Sequence, residues 1–319
     1  MTQAVYPQWL AQVESCLQQI VVSDNPFVTQ AAQHVLRAGG KRLRPALVYL
    51  AASFGDAPAD ESRLIDAAMV VELTHVASLY HDDVMDRAEM RRGMPSANAH
   101  FGNSVAILTG DYLFARASKL VAALGPVYVA RQADTFALMV QGQIAEFKGV
   151  EPGADPMDHY LAVLDQKTAS LIATSAVFGG MVAGLDQPSL DALDRFGSAL
   201  GLAFQLHDDL MDIMSDTAGK TPGTDLRQGV VTLPWLLLAR SDAPEDKALV
   251  AAVGSDLSDE DIAAAVSALR VHPVMERSRE IIVDYADQAK AELAKLPQGA
   301  ANQALAGVVD DMTNRVRAV

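Results

Sequence analysis

The sequence predicts an all-α protein, and three observations carry that prediction. Apolar residues recur three and four apart through long Ala- and Leu-rich runs, no comparable run of alternating β-branched residues appears, and glycine and proline cluster in short breaks between the runs. The first run is "RLIDAAMVVELTHVASLY" (63–80), which follows the break "FGDAPADES". Next comes "SVAILTGDYLFARASKLVAAL" (104–124), between the breaks "RRGMPSAN" and "ALGPVY". "TASLIATSAVFGGMVAGL" (168–185) is uncharged and approaches the length of a membrane span, but four Thr or Ser, three Gly and charged flanks without an aromatic belt make it a buried core helix. "DALDRFGSALGLAFQLHDDLMDIM" (191–214) is the fourth run. The last, "DEDIAAAVSALRVHPVMERSREIIVDYADQAKAELAKL" (259–296), reads as helical throughout, and "SDE" (258–260) signs its start as a cap followed by acidic first-turn residues. The loops are short and none resembles an interdomain linker, so residues 1–319 read as a single domain.

Half of the 319 residues are hydrophobic, enough for a sizeable core. Forty acidic against 25 basic residues give a formal charge of −15, which repels polyanions and argues against nucleic acid as a partner. Any phosphate must then be held by a local basic patch. The lone cysteine, Cys16, leaves no disulfide framework and no cysteine-built zinc site, which fits a reducing cytoplasm. The first residues lack a basic region followed by an apolar run, so no signal peptide is read and a cytoplasmic location is expected.

Chemistry enters through a repeat: "HDDVMD" at 81–86 returns almost unchanged as "HDDLMD" at 207–212, each late in an apolar run. At about 100° per residue, Asp82 and Asp86 share one helix face, as do Asp208 and Asp212, with Asp83 and Asp209 to one side. A single acidic cluster reads equally well as a solvated helix end, but two matching copies read as a cation site. Oxygen-only ligands favour a hard ion, Mg²⁺ above all, held by a few carboxylates plus substrate phosphates. A calcium loop is excluded because neither copy has the central glycine and closing glutamate. Basic residues are gathered too: Lys41, Arg42 and Arg44 lie in "GGKRLRP", and Arg87, Arg91 and Arg92 follow the first acidic motif. Gly39 and Gly40 read as a helix stop and Pro45 as a helix start, which leaves the first three in a turn suited to an anion. Arginine donates to phosphate in pairs, and lysine adds a point charge.

Taken in order, "GGKRLRP", "ELTHVASLYHDDVMD", "RRGMPSAN", "GDYLFARA", "KTASL", "FQLHDDLMD" and "GKTPGTDLRQG" resemble the trans-isoprenyl (polyprenyl) diphosphate synthase family from about Gly39 to Pro234. The resemblance implies a helical bundle of the isoprenoid synthase type around a deep central cavity, usually a homodimer, with the two aspartate motifs facing each other across the cavity mouth. Its reaction would be Mg²⁺-dependent condensation of isopentenyl diphosphate with an allylic diphosphate. Asp82, Asp86 and Asp208 then match direct metal ligands, and Asp83, Asp209 and Asp212 complete the acidic shell. Arg91, Lys167, Thr168, Gln205 and Lys220 match positions that hold the allylic diphosphate; Lys41, Arg44, His75 and Arg92 match those that hold isopentenyl diphosphate. His75 on its own reads as an ordinary core histidine, and only its setting in "ELTHVASLYHDD" assigns it otherwise.

Cleaving the allylic carbon–oxygen bond leaves a cation and a diphosphate, so metal and basic side chains stabilise the leaving group. The departed diphosphate can itself take the proton, which explains why no His–carboxylate pair suited to general base work stands out. The growing chain should run from Asp82 toward the helix N-terminus, past Ser78, Ala77 and Thr74, all of modest size. An open path of several turns, each about 5.4 Å, argues for about six or more isoprene units, as in a quinone side-chain precursor. Val70 and Phe114 are candidates for a deeper floor. Two positions depart from the family pattern: Val230 stands where many relatives have lysine, and Tyr80, bulkier than the usual aliphatic, is expected to point away from the product path. The alternatives are a short-chain farnesyl or geranylgeranyl diphosphate synthase, a terpene cyclase, which the second "DDLMD" opposes, and a noncatalytic synthase subunit, which two intact motifs oppose. Release of an insoluble product would suit peripheral contact with a membrane, which the sequence alone does not decide.

Overall fold

Helices form where the apolar runs lie and stop where the breaks fall. The computed structural model describes residues 6–214, 223, 226, 230–252 and 258–318. In chain order these form α1 (Tyr6–Ile20), α2 (Pro26–Arg37), α3 (Leu43–Ala52), α4 (Glu61–Met85), a hairpin of β1 (Met90–Arg91) and β2 (Met94–Pro95), α5 (Ala97–Phe101), α6 (Asn103–Leu124), α7 (Pro126–Lys148) and α8 (Pro156–Leu164). A π-helical turn (Asp165–Ala169) leads into α9 (Ser170–Val182) and α10 (Gln187–Met214). Then come α11 (Leu233–Ala239), α12 (Pro244–Ala252), α13 (Asp259–Arg270), α14 (Pro273–Leu293) and α15 (Ala300–Arg317). The all-α expectation holds, and α9, from the uncharged run, is buried along nearly its whole length. Among the described residues no helix is long and apolar enough to cross a membrane.

The chain divides into two compact units, each assembled from three separate stretches. The first comprises Met1–Ala137, Leu171–Asp194 and Lys295–Leu305. Its central element is α4, started by the Asp60 side chain, which accepts the Arg63 N–H at 3.2 Å. From Ala67 to Tyr80 only His75 and Ser78 keep partial exposure, so this helix is buried all round except along one stripe. At its end Ala88 N–H reaches the Asp83 carbonyl (2.9 Å) and Arg87 N–H the Val84 carbonyl (3.4 Å), the paired bonds of a Schellman closure. Arg87 occupies the left-handed position (φ 51°) that usually takes glycine. Arg87→Gly is therefore expected to raise unfolding stability by about 1 kcal/mol, read as a higher urea midpoint at unchanged m-value.

The second unit comprises Leu138–Ser170, Arg195–Ala294 and Ala306–Val319. Here α13 opens with a reciprocal capping box between Ser258 and Asp261, as the "SDE" signal implied. The run 259–296 is not one helix. Pro273 has no N–H to donate and its ring clashes with the preceding turn, so α13 ends at Arg270 and α14 restarts at Pro273, capped by the His272 side chain accepting the Val274 N–H at 3.2 Å.

Candidate active site

In the first unit the basic turn lies between α2 and α3. Arg42 takes a left-handed backbone (φ 49°) and is almost fully buried, its guanidinium forked between Glu14 on α1, Glu72 on α4 (2.7 Å) and the Leu36 carbonyl (3.2 Å). It anchors the turn, while Lys41 stays exposed. The Arg44 Nε is buried with no hydrogen-bond partner, and burial together with nearby Arg92 lowers the guanidinium pKa to about 10 despite the pull of Glu72. An ionised donor left unsatisfied in this way is costly unless an anion completes it. Burial also depresses His75 well below the usual imidazole range, and Arg44, Arg92, Arg91 and Arg42 act in the same direction. Both effects favour the neutral form of His75, and of the basic residues read for isopentenyl diphosphate, Arg44 and Arg92 are near enough for their charge to act on it.

Arg92 is delivered by the β1–β2 hairpin, whose two-residue turn has positive φ at both Arg92 (53°) and Gly93 (79°), the type I′ geometry that matches strand twist. Its guanidinium donates to the Gly39 carbonyl, at the end of the basic turn. The same hairpin carries Arg91, whose Nε donates to Asp83 at 2.8 Å.

The first acidic motif is thereby sorted. Asp83 is fully buried and held by Arg91, whereas Asp82 is part-exposed and Asp86 exposed. Three acids crowd the C-terminal end of α4, where the helix dipole already presents negative charge and no basic residue occupies the last turn. Toward the helix N-terminus the accessible stripe continues through Ser78, whose hydroxyl donates to the His75 carbonyl (2.8 Å), while Ala77 is sealed in the core. Thr74 is buried and accepts the Gln132 side-chain N–H at 3.2 Å. Val70 is fully buried, and the Phe114 ring meets Phe136 at a 53° tilt with centroids 4.3 Å apart.

The second unit repeats the sorting at the C-terminal end of α10. Asp208 is exposed and Asp212 part-exposed, while Asp209 is buried, with one oxygen accepting the Tyr160 hydroxyl (2.5 Å) and the other the Gln205 amide (2.9 Å). Burial pushes the Asp209 carboxyl up to about 6 against the pull of Tyr160 and Gln205, with Asp208 and Asp212 adding to the rise. Gln205 also accepts the Thr168 hydroxyl (3.2 Å), so Thr168, Gln205 and Asp209 form one chain. Lys167 pairs with Glu146 at 2.5 Å, and Gln143 steadies that carboxylate at 3.1 Å. Lys167 and Thr168 sit in the π-helical turn, a feature concentrated at functional sites. Gly142 and Gly201 admit it: a Cβ built on Gly201 would stand 2.5 Å from the Ala169 Cα, and one on Gly142 2.8 Å from the Lys167 nitrogen. Gly223 N–H bonds the Asp212 carbonyl (3.0 Å); Lys220 lies outside the described residues.

Three points were not legible in advance. Glu14 and Glu72 buttress Arg42, Tyr160 holds Asp209, and Glu146 holds Lys167. Only Glu72, an acid on an otherwise apolar helix three residues before His75, carried a signal. Among the described residues no three carboxylate, imidazole or thiol groups converge as a ready-made metal cage. The Asp83 charge is offset by Arg91, so the accessible oxygen ligands a hard cation would use at this helix end are Asp82 and Asp86.

Each unit thus ends a long helix in an acidic motif, and the first unit also gathers a cluster of guanidiniums. Comparison places the chain: the polyprenyl synthetase family model matches residues 25–269, and it belongs to that family of prenyltransferases. It is 43% identical to nonaprenyl diphosphate synthase of Mycobacterium tuberculosis over 96% of this chain and 92% of the relative. It is 41% identical to heptaprenyl diphosphate synthase component 2 of Geobacillus stearothermophilus over 92% and 91% of the two chains. Among solved structures, geranylgeranyl pyrophosphate synthase from Corynebacterium glutamicum, complexed with calcium and isoprenyl diphosphate, matches with TM-score 0.87 at 41% identity, covering 98% of this chain and 96% of that one.

Proposed function

We propose that this chain, working across residues 1–319 as one polyprenyl synthetase domain, adds isopentenyl diphosphate repeatedly to an allylic diphosphate and so makes an all-trans polyprenyl diphosphate of about six or more units. The observation that carries the reading is the stripe on α4, where His75, Ser78 and Asp82 stay accessible on one face between a guanidinium cradle and an acidic helix end. Lys41, Arg44, His75 and Arg92 bind isopentenyl diphosphate. Arg91, Lys167, Thr168, Gln205 and Lys220 hold the allylic diphosphate. Asp82, Asp86, Asp208 and Asp212 are the carboxylates for Mg²⁺, with Asp83 and Asp209 as their buried anchors. Magnesium, when bound, supplies positive charge at the leaving diphosphate.

Lys167 and Arg91 stabilise the charge that appears as the allylic carbon–oxygen bond breaks and its electron pair leaves with the diphosphate. The isopentenyl double bond attacks the allylic carbon, and the proton lost from the neighbouring carbon passes to the departed diphosphate. Burial and the nearby guanidiniums disfavour a charged His75, so the neutral ring serves in binding through its N–H. Since the π-helical turn must sit tightly, Gly201→Val is expected to lower turnover about 100-fold while circular dichroism stays unchanged.

Relatives named for seven- and nine-unit products favour a long chain. A second, shorter-chain reading is favoured by the part-buried Thr74–Gln132 bond, two turns below Asp82. Sizing the dephosphorylated products made from labelled isopentenyl diphosphate and farnesyl diphosphate decides between them. Six or more units, lost with EDTA and restored by Mg²⁺, support the proposal; four units support the second reading, and no incorporation defeats both. We further propose a cytoplasmic homodimer formed through α6, where Leu108 is 66% and Ile107 43% exposed. Light scattering reads the mass directly. Phe147, 89% exposed on α7, suits transient contact with a membrane during product release.

A further inference from the structure

We propose that Tyr80 and His34 are positioning residues that hold the Arg91–Arg92 hairpin against the acidic end of α4, a role that rests on the function proposed above for those arginines. Tyr80 is fully buried and turns into α2, where its hydroxyl donates to the Ala31 carbonyl (2.6 Å) and accepts the Val35 N–H (3.2 Å). Those two groups are the donor and acceptor one helical turn apart, so the phenol clasps the backbone ladder of α2 itself. A buried hydroxyl is tolerated only when satisfied, and this one is satisfied both as donor and as acceptor. An aliphatic residue would fill the same space without gripping α2.

Beside Val35, His34 donates from Nε2 to the Pro95 carbonyl on β2 at 2.7 Å. The imidazole is fixed by His100, stacked at 5.2 Å and 14°, and by the edge of Phe101 at 5.3 Å. Pro95 pairs with Met90, and Arg91 beside it returns to Asp83, three residues from Tyr80 on α4. The contacts close a ring: Tyr80 to α2, His34 to Pro95, hairpin to Arg91, and Arg91 to Asp83. Strands of two residues have too few ladder bonds to hold themselves, so the aim of both arginines depends on this tie together with the Ser96 hydroxyl, which donates to the Ala88 carbonyl at 2.5 Å.

The test compares wild type, His34→Ala, His34→Gln and Tyr80→Phe, using calorimetric titration of isopentenyl diphosphate in EDTA, steady-state kinetics, and amide hydrogen exchange across residues 88–96. Glutamine restores a side-chain N–H donor toward Pro95, which alanine does not. The expected result is about tenfold weaker isopentenyl diphosphate binding and a matching rise in its KM for His34→Ala and Tyr80→Phe, with kcat within about twofold and His34→Gln close to wild type. Exchange in the hairpin should quicken in the first two variants and recover in the third. Unchanged binding in folded His34→Ala, or equal loss in His34→Ala and His34→Gln, overturns the proposal. Should wild type bind no isopentenyl diphosphate, the proposed function falls, and the exchange pattern alone then decides whether the tie exists.

Discussion

Asp82→Asn is expected to cut turnover about 10³-fold, while unfolding stability stays within about 1 kcal/mol of the parent. Asp82 is part-exposed at the end of α4, beside Asp83 and Asp86, where the helix dipole already disfavours negative charge. Under the function proposed above, the carboxylate at this place serves chemistry. Asp83→Asn should behave oppositely in stability: Asp83 is fully buried against Arg91, and breaking a buried pair by removing one charge costs about 3 kcal/mol. Steady-state rates and urea denaturation of the two variants check the contrast, and equal destabilisation by both would sink the sorting of the motif into outward ligands and an inward anchor.

Ser78→Phe is expected to shift products to three or four units, with the first condensation kept within about fivefold of wild type. Ser78 is one turn below Asp82 on the accessible stripe, so a ring there blocks the space a growing chain would enter. Ala77→Phe should act differently. Ala77 is fully buried, and a ring forced into that packed position costs about 1–3 kcal/mol of stability. Chromatographic sizing of products beside thermal unfolding separates the two effects. Shortened products from Ala77→Phe with normal stability would show that the path runs on the other side of α4.

Much of the fold was legible because helices in a large core leave a 3.6-residue signature, and the five apolar runs all became helical, the last as two helices. Both aspartate motifs were found at helix ends as read. The π-helical turn was invisible because it depends on Gly142 and Gly201 bringing distant backbone close to Ala169 and Lys167, a nonlocal fact. The β1–β2 hairpin went unread for the opposite reason: strands of two residues are too short for alternation to register. The inward turn of Asp83 and Asp209 needed partners eight and 49 residues away. Arg42 looked like one more phosphate ligand in "GGKRLRP", and only the carboxylates of Glu14 and Glu72 reveal it as an anchor. The break before Pro273 was present in the sequence, since proline opens a helix more readily than it continues one.

The central claim is that the chain keeps two kinds of diphosphate site, one made of guanidiniums and one that needs metal. Calorimetric titration of isopentenyl diphosphate and of farnesyl diphosphate, each alone, first in EDTA and then with Mg²⁺, measures this without turnover. The account predicts that isopentenyl diphosphate binds in both conditions and that farnesyl diphosphate binds tightly only with Mg²⁺. Equal binding of farnesyl diphosphate with and without the metal, or loss of isopentenyl diphosphate binding in EDTA, would contradict it.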